Sequence, residues 1–206
     1  MHLAAERRWD QVWYLISWRV RGFDFGRMTI EDMGLDPQCC NAHLNSGGPD
    51  LVRALQATGV SEGSRILDFG CGKGGAVLTM CGFPFSEIVG LDISPELAAI
   101  AEANSRRAHT TRVKFVQADA ASYQDLDRFT HLYMFNPFPC RVVEAVCENV
   151  KASLVRRERK LTLIYKNPVC DPVVLNSGIF ELQCDVKYGV RAPDWECFRV
   201  YVHSTR

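Results

Sequence analysis

Glycines and carboxylates, two residue types that bind nucleotides in many proteins, lie close together between positions 65 and 120. Gly70, Gly72 and Gly75 satisfy the pattern G-x-G-x-x-G, and Asp92 follows about 20 residues later. Glycines at this spacing let the backbone approach a nucleotide, and an acid at that distance can accept hydrogen bonds from ribose hydroxyls. The pattern therefore predicts a nucleotide site, and by itself it permits a nicotinamide dinucleotide.

A further acid, Asp68, lies directly before the glycines and narrows the choice of nucleotide. A carboxylate at this point repels a pyrophosphate but attracts a ligand that carries an ammonium and a sulfonium. The chain also has only 206 residues, which leaves little length for the separate substrate domain of a dehydrogenase. These two features favour S-adenosylmethionine over NAD as the cofactor.

An alternation of apolar strands with helices must position these residues. Strands are predicted at Arg65–Phe69, Glu87–Ile93, Val113–Ala118, His131–Phe135, Lys160–Tyr165, Phe180–Tyr188 and Trp195–His203. Helices are predicted from the glycine turn to about Cys81, and at Leu97–Ala108, Val142–Leu154 and Asp171–Asn176. Such alternation is typical of a mainly parallel sheet covered by helices on both faces. The last two strands form a hairpin, which places one antiparallel strand in a seven-stranded sheet.

The first 60 residues are predicted to form a helical lid or extension, and 61–206 the cofactor-binding sheet of the same single domain. Residues 4–21 have the spacing of an amphipathic helix, 22–49 are mostly loop, and a short helix spans Leu51–Thr58. Trp13 and other aromatic residues of the first helix are predicted to line an apolar roof over the site. Core packing and a homodimer contact are the alternatives for this aromatic stripe.

Three motifs in this order resemble those of the class I methyltransferase family, which uses S-adenosylmethionine. The segment Asp68–Gly74 is similar to the D-x-G-x-G-x-G signature, Val89–Ser94 to the second-strand motif and Phe115–Asp119 to the third-strand motif. The resemblance extends from Arg65 to the C-terminus. It implies an α/β, Rossmann-like three-layer sandwich with the ligand at the carboxyl ends of the strands.

The same resemblance assigns roles to the residues at the strand ends. Asp92 would hold the ribose hydroxyls, Asp119 would accept from the adenine amino group, and Ile93 would offer adenine an apolar face. The predicted cofactor-binding residues are Asp68, Gly70, Cys71, Gly72, Gly74, Asp92, Ile93, Asp119, Ala120 and Asn136. For Asp92 the alternative is a structural role at the entry of the helix that Ser94 and Pro95 open.

The acceptor side is predicted after the fourth strand, at Asn136-Pro-Phe-Pro139. This segment resembles the N-P-P-[YF] motif of amino-group methyltransferases, with Phe138 where the second proline stands. The side-chain oxygen of Asn136 can hold an acceptor amine with its lone pair towards the methyl group, so Asn136 is a predicted catalytic residue. A simple Asn-Pro turn is its alternative. The predicted substrate-binding residues are Pro137, Phe138, Tyr165 and Trp13.

Two further places could orient an acceptor or transfer a proton. His43, in the loop Asn41–Gly48, is a predicted catalytic base, and a structural histidine is its alternative. At the end of the fifth strand Lys166 or Asn167 could orient an acceptor, and a solvated strand end explains them equally well. Methyl transfer is an in-line displacement, so positioning supplies most of the rate and a base is optional.

The composition argues against several other classes of protein. Lysine and arginine total 24, as do aspartate and glutamate, so no overall charge points to a nucleic-acid partner. No apolar run approaches the ~20 residues of a membrane span, so no membrane partner is expected. The nine cysteines include no Cys-x-x-Cys pair, so we predict no metal site and reduced thiols in a cytoplasmic protein.

These observations predict an S-adenosylmethionine-dependent methyltransferase that acts on a small molecule, with nitrogen favoured over oxygen as the acceptor atom because of Asn136-Pro137. A protein or peptide methyltransferase is the alternative from another substrate class. An NAD-binding or non-catalytic Rossmann module is a third hypothesis, which cofactor titration would separate from the other two.

Overall fold

Seven strands form one sheet in the computed structural model, which describes residues 2–32, 36, 44–136, 138–187 and 197–205. The strands are β1 (Arg65–Phe69), β2 (Glu87–Asp92), β3 (Val113–Gln117), β4 (His131–Phe135), β5 (Leu161–Lys166), β6 (Glu181–Lys187) and β7 (Cys197–His203). Their order across the sheet is β3-β2-β1-β4-β5-β7-β6. Strands β1 to β5 run parallel and β7 is antiparallel to β5 and β6, which confirms the predicted Rossmann-like sheet with its C-terminal hairpin.

Helices precede, connect and flank these strands. They are α1 (His2–Val20), α2 (Pro49–Gln56), α3 (Gly75–Met80), α4 (Pro95–Arg107), α5 (Cys140–Arg156) and α6 (Asp171–Asn176). The start of α4 has the predicted cap, because the Ser94 hydroxyl accepts a hydrogen bond from the Leu97 amide at 3.2 Å and Pro95 occupies the first turn. Within the described part of the chain, each helix is too short or too polar to cross a bilayer.

Two hydrophobic clusters cover the two faces of the sheet, because successive strand residues point to opposite sides. Leu67 belongs to the cluster that contains residues of α5 and α6, whereas Ile66 belongs to the cluster with α2 and α3. Asp68 follows Ile66 by two residues and Lys166 follows Ile164, which is also in the second cluster. Both polar side chains therefore lie on the α2/α3 face, at the carboxyl ends of their strands.

Cys140 and Cys170 form a disulfide, so the prediction of reduced thiols is wrong for this pair. Cys140 begins α5 and Cys170 directly precedes α6. Their Cα atoms lie 5.3 Å apart although 30 residues separate them in sequence. Cys71 and Cys147 are free and buried, as expected of thiols that act as small hydrophobic side chains. Only the packing of α5 against α6 creates the pairing, so cysteine spacing could not reveal it.

Candidate functional site

The predicted cofactor residues meet at one edge of the sheet, where β1, β2 and β3 end side by side. Asp68 is the last residue but one of β1, where it pairs with Gly90 of β2, and Asp92 ends β2. The amide of Ala118, just after β3, donates to the Asp92 carbonyl at 3.0 Å, so Asp119 follows within the same edge. This is the edge at which open α/β sheets bind ligands.

The turn after β1 needs glycine for its backbone conformation. Gly70, Gly72 and Gly74 have φ angles of +71°, +52° and +81°, in the left-handed region that residues with a side chain rarely adopt. The amides of Gly70 and Cys71 donate to the Leu91 carbonyl of β2, at 2.8 and 2.9 Å. The turn is thus attached to the neighbouring strand, and its three glycines are those of the D-x-G-x-G-x-G signature.

Gly75, the last glycine of the dinucleotide pattern, has a packing role instead. A Cβ atom at Gly75 would lie 1.9 Å from Oδ1 of Asn45, and one at Gly47 would lie 2.3 Å from the Gly75 carbonyl oxygen. The loop 44–48 can therefore contact the start of α3 only because both positions lack a side chain. This role explains Gly75 without a pyrophosphate.

The carboxylate of Asp92 holds the glycine turn against the start of α4. Its Oδ2 accepts from the Gly72 amide at 2.8 Å and its Oδ1 from the Ser94 amide at 3.0 Å. Burial raises the pKa of Asp92, and the amide hydrogen bonds oppose that shift. Each carboxylate oxygen accepts more than one hydrogen bond, so the structural role at the helix entry is compatible with binding of ribose hydroxyls.

Asp68 is the carboxylate of this edge whose ionised form is the least stabilised by its surroundings. It is 2% exposed, and its Oδ2 has no hydrogen-bond partner among the described residues. Burial raises the pKa of Asp68 well above its usual range, and the nearby carboxylate of Asp92 raises it further. An orphaned carboxylate of this kind is stabilised by a cation, so Asp68 fits a ligand that carries positive charge.

The predicted adenine side is more open. Ile93 is 41% exposed, Asp119 is exposed, and Ala120 is buried beside it. Oδ1 of Asp119 accepts from the Ala121 amide at 2.9 Å, which orients the carboxylate and leaves its other oxygen for a donor. An apolar side chain and an oriented carboxylate at the ends of adjacent strands suit an adenine ring, and their roles stay predictions.

On the acceptor side, two Asn-Pro turns end neighbouring strands. Phe135 of β4 pairs in register with Lys166 of β5, so Asn136 and Asn167 follow side by side. Their φ angles are +38° and +49°, and positive φ is uncommon for residues other than glycine. Asn136 thus lies at the predicted edge, next to a second asparagine with the same backbone conformation.

Phe138 and Tyr165 do not present a surface to a substrate, which corrects their predicted role. Phe138 is 7% exposed and Tyr165 fully buried, and both belong to the cluster beneath α5 and α6. The Tyr165 hydroxyl accepts from the Cys170 amide at 3.4 Å. Tyr165 precedes Lys166 by one residue, so the alternation of the strand directs it into the opposite face of the sheet. His43 and Pro137 lie outside the described residues, and their roles stay predictions.

Trp13 is 65% exposed, so the prediction that it lines a roof over the site is wrong. The inner side of α1 is formed by other residues. Nε2 of Gln11 donates to the Gly47 carbonyl at 2.7 Å, and the Tyr14 hydroxyl lies 3.1 Å from that of Thr79 in α3. Trp13 follows Gln11 by two residues, which is more than half of a helical turn at about 3.6 residues per turn. It therefore lies on the other side of the helix.

Lys166 is a buried cation that the sequence prediction left between two roles. It is 7% exposed, its Nζ donates to the Ser46 carbonyl at 3.3 Å, and it lies 4.7 Å from the centre of the Phe135 ring. Burial lowers the pKa of Lys166 to about 8, although Asp50 opposes the shift. Lys166 therefore joins the end of β5 to the loop 44–48. The only sequence signal for it was the parallel between Tyr165–Pro168 and the Asn136 motif.

Lys73, inside the glycine turn, joins the same edge to the segment after α1. Its Nζ donates to both carboxylate oxygens of Asp24 at 2.9 Å, and Lys73 is 4% exposed. Nδ2 of Asn104 donates to the carbonyls of Asp24 and Lys73, at 2.9 and 3.0 Å. The signature allows any residue at position 73, so the sequence could not indicate this contact.

Comparison with known proteins agrees with this geometry. Residues 66–156 match the model of a methyltransferase domain. No curated protein matches the sequence. Among solved structures, a SAM-dependent methyltransferase from Aquifex aeolicus is similar, with a TM-score of 0.58, 16% sequence identity, and coverage of 74% of this chain and 88% of the other.

Two further structures show the same fold with different named activities. Magnesium protoporphyrin IX methyltransferase from Synechocystis PCC 6803, crystallised with bound SAM, has a TM-score of 0.55 and 16% identity, over 75% of this chain and 76% of the other. Ribosomal protein L11 methylase from Lactobacillus delbrueckii subsp. bulgaricus has a TM-score of 0.57 and 13% identity, over 76% and 77%. At these sequence identities, the similarity shows a shared fold alone.

Proposed function

We propose that this chain methylates a small molecule, at nitrogen rather than oxygen. Its residues 66–156 match the model of a methyltransferase domain, and its fold is similar to that of a SAM-dependent methyltransferase. The observation that carries the cofactor assignment is the buried Oδ2 of Asp68, which accepts no hydrogen bond from the part of the chain that the structure describes. An ammonium or sulfonium bound near Asp68 would remove the cost of a lone buried carboxylate, whereas a pyrophosphate would increase that cost.

Each residue of the edge would contact a different part of the cofactor. Asp68 would face its cationic part, Asp92 its ribose hydroxyls, and Ile93 and Asp119 its adenine. The amides of the glycine turn allow close approach of the ligand, because Gly70, Gly72 and Gly74 have no side chains. Residues 22–32 and 44–48, which Lys73 and Lys166 contact through Asp24 and Ser46, would act as the lid of the site and exclude water.

The protein's own contribution to the reaction is positioning. Bound S-adenosylmethionine supplies a methyl group on a positively charged sulfur. The Asn136 side-chain oxygen would accept a hydrogen bond from the acceptor amine and direct its lone pair at that methyl group. This lone pair would form the new N–C bond as the methyl–sulfur bond breaks, whose electron pair stays on the sulfur and leaves it neutral. The methylated amine would then lose a proton to water or to a base such as His43. Nitrogen is favoured because an asparagine oxygen orients an N–H donor, and a neutral amine needs no prior deprotonation.

Titration calorimetry tests the cofactor. S-adenosylhomocysteine should bind, NAD should not, and Asp92→Ala should abolish binding because it removes the acceptor of the Gly72 amide as well as that of the ribose. Asp10→Ala, at an exposed position on α1, is the matched control and should bind normally. Binding of NAD without binding of S-adenosylhomocysteine would refute the cofactor, and unaltered affinity in Asp92→Ala would refute the role of Asp92.

Transfer of a labelled methyl group tests the acceptor. Labelled S-adenosylmethionine is incubated with a cell extract that has been divided into small molecules, proteins and nucleic acids, and label is expected in the first fraction. Asn136→Ala should lower kcat by about 100-fold, in the range of a lost positioning contact, with cofactor affinity retained. Asn176→Ala, at an exposed position, is the control. Label in protein or nucleic acid alone would replace the small-molecule proposal.

A further inference from the structure

An apolar stripe on α1 is exposed. Trp9 is 60%, Trp13 65%, Ile16 45% and Val20 82% exposed, and Val12 beside them is 39% exposed. Residues at intervals of three or four occupy one side of a helix, so these five side chains form a continuous stripe. Tryptophan and isoleucine are normally among the more buried residues of a folded protein. A stripe of this kind marks a binding surface.

The opposite side of α1 is the one that binds the rest of the protein. Gln11 and Tyr14 contact the loop 44–48 and α3, and the Trp18 ring packs edge-on against Phe23 at 4.4 Å between ring centres. The rings of Trp18, Phe23 and Phe25 form one cluster, in which the ring centres lie 4.4 to 6.0 Å apart. A helix with one packed side, one exposed apolar side and polar flanks needs a second apolar phase or partner.

The charge around the stripe is positive although the whole chain is neutral. Residues 2–27 contain five arginines, Arg7, Arg8, Arg19, Arg21 and Arg27, and three acids, Glu6, Asp10 and Asp24. Lys73 pairs with Asp24, so the excess of positive charge is larger than the count suggests. The guanidinium of Arg21 lies 4.6 Å from the centre of the Trp18 ring. A segment rich in arginine that also carries exposed tryptophans suits the anionic headgroups and the interfacial layer of a bilayer.

The charge around the stripe disfavours a second copy of this chain, because two positively charged segments would face each other. The exposed parts of the five side chains amount to roughly 500–600 Å², given areas of 150–250 Å² for a large aromatic side chain. A stable dimer buries about 800 Å² on each partner, more than half of it apolar, so the area by itself suits either partner. An interfacial helix needs no such area, because insertion of its apolar side by about 5–10 Å is reinforced by attraction between arginine and anionic lipid.

We propose that α1 docks this protein on an anionic lipid surface, with Trp9, Trp13, Ile16 and Val20 inserted at the boundary between headgroups and acyl chains. The helix lies in the plane of the surface and does not cross it. Because α1 packs on α3, which begins at the glycine turn, docking would hold the cofactor edge about one helix diameter, ~10 Å, from the lipid. This proposal differs from the expectation of no membrane partner, and it does not depend on the identity of the methyl acceptor.

Vesicle binding tests the proposal with the full chain. Protein is sedimented with vesicles of phosphatidylcholine alone and of phosphatidylcholine mixed with phosphatidylserine, at low and high salt. We expect binding to the mixed vesicles, weakened by salt, and a shift of tryptophan emission to shorter wavelength. Trp13→Glu and Val20→Glu should each lower the affinity at least about tenfold, equivalent to one unfavourable charge in the apolar layer.

The matched control is Val155→Glu on α5, because Val155 is 84% exposed, close to the 82% of Val20, and lies outside the stripe. It should bind vesicles as the unaltered protein does. Titration with S-adenosylhomocysteine shows that each variant is folded. Equal binding by Trp13→Glu and the unaltered chain, or no vesicle binding at all, would overturn the proposal. A concentration-dependent dimer that Trp13→Glu dissociates, without vesicle binding, would assign the stripe to a second copy.

Discussion

At the scale of single residues, the candidate site contains two carboxylates that differ in the hydrogen bonds they accept. Asp92 receives hydrogen bonds from two backbone amides, whereas Oδ2 of Asp68 receives none from the described residues. The pKa of Asp68 is raised in the folded chain, so its ionised form destabilises the ligand-free protein. In the proposed role the same unmet charge would bind a cation, so stability and function would be opposed at this position.

Asp68→Asn is therefore expected to shift stability and affinity in opposite directions. At pH 7 the ligand-free variant should unfold at a higher temperature than the unaltered chain, because no buried charge remains. This advantage should vanish as the pH falls below the ordinary pKa of aspartate, where Asp68 is neutral in both the folded and the unfolded state.

Cofactor affinity of Asp68→Asn should fall by about 10–100-fold, the range for a lost charged hydrogen bond. Thermal unfolding between pH 3 and 8 and calorimetric titration measure the two effects. Asp10→Asn, at an exposed position on α1, is the control for a change of net charge. A variant that unfolds earlier at pH 7 and binds as tightly would contradict the assigned role of Asp68.

At the scale of secondary-structure elements, the disulfide joins the two acceptor-side turns. Cys140 begins α5, four residues after Asn136, and Cys170 precedes α6, three residues after Asn167. The bridge therefore limits the relative motion of the segments that follow β4 and β5. Cys140 is exposed and Cys170 is 2% exposed, so a soluble reductant reaches the bridge from one side.

Reduction of this bridge should destabilise the chain. A closed segment of 30 residues corresponds to about 3–4 kcal/mol in the chain-entropy model. Dithiothreitol should lower the Tm accordingly, by about 2–4 °C for each kcal/mol in a protein of this size. The double variant Cys140→Ser/Cys170→Ser should have the lower Tm without reductant, and dithiothreitol should not change that Tm. Cys81→Ser, which removes a free thiol, should respond as the unaltered chain does, and a response by the double variant would point to another bridge.

At the scale of the whole molecule, the cofactor edge lies between the sheet and the N-terminal segment. Lys73 contacts Asp24, Lys166 contacts Ser46, and Thr79 of α3 contacts Tyr14 of α1, so these contacts join the two parts. A ligand bound at this edge would add contacts within one cooperative unit. Its effect on stability is then a property of the whole chain.

Cofactor binding should consequently stabilise the fold by simple linkage. S-adenosylhomocysteine at 100 times its Kd should add about 2.7 kcal/mol, which raises the Tm by about 5–10 °C. Scanning calorimetry with increasing ligand measures this shift. NAD at the same concentration should leave the Tm unchanged, and so should S-adenosylhomocysteine with Asp92→Ala. A single transition that divides into two on addition of ligand would contradict the single unit.

The sequence by itself determined the parallel sheet, the glycine turn and the three acids at the strand ends. These are local patterns, since strand periodicity, positive φ at glycine and the position of an acid after a strand depend on neighbours in the chain. Only the tertiary structure decided which aromatic residues are buried. Tyr165 and Phe138 face the core and Trp13 faces outwards because the packing partner of each strand or helix face comes from distant sequence.

The same reason applies to the contacts that hold the site together. The Cys140–Cys170 bridge, the Lys73–Asp24 ion pair and the Lys166–Ser46 hydrogen bond join residues 30, 49 and 120 positions apart. No spacing rule connects such residues, because the length of the intervening chain does not set the distance between its folded ends. The sequence therefore determined which nucleotide the edge suits, whereas the fold alone decided which residues Lys73 and Lys166 contact and which side of α1 remains exposed.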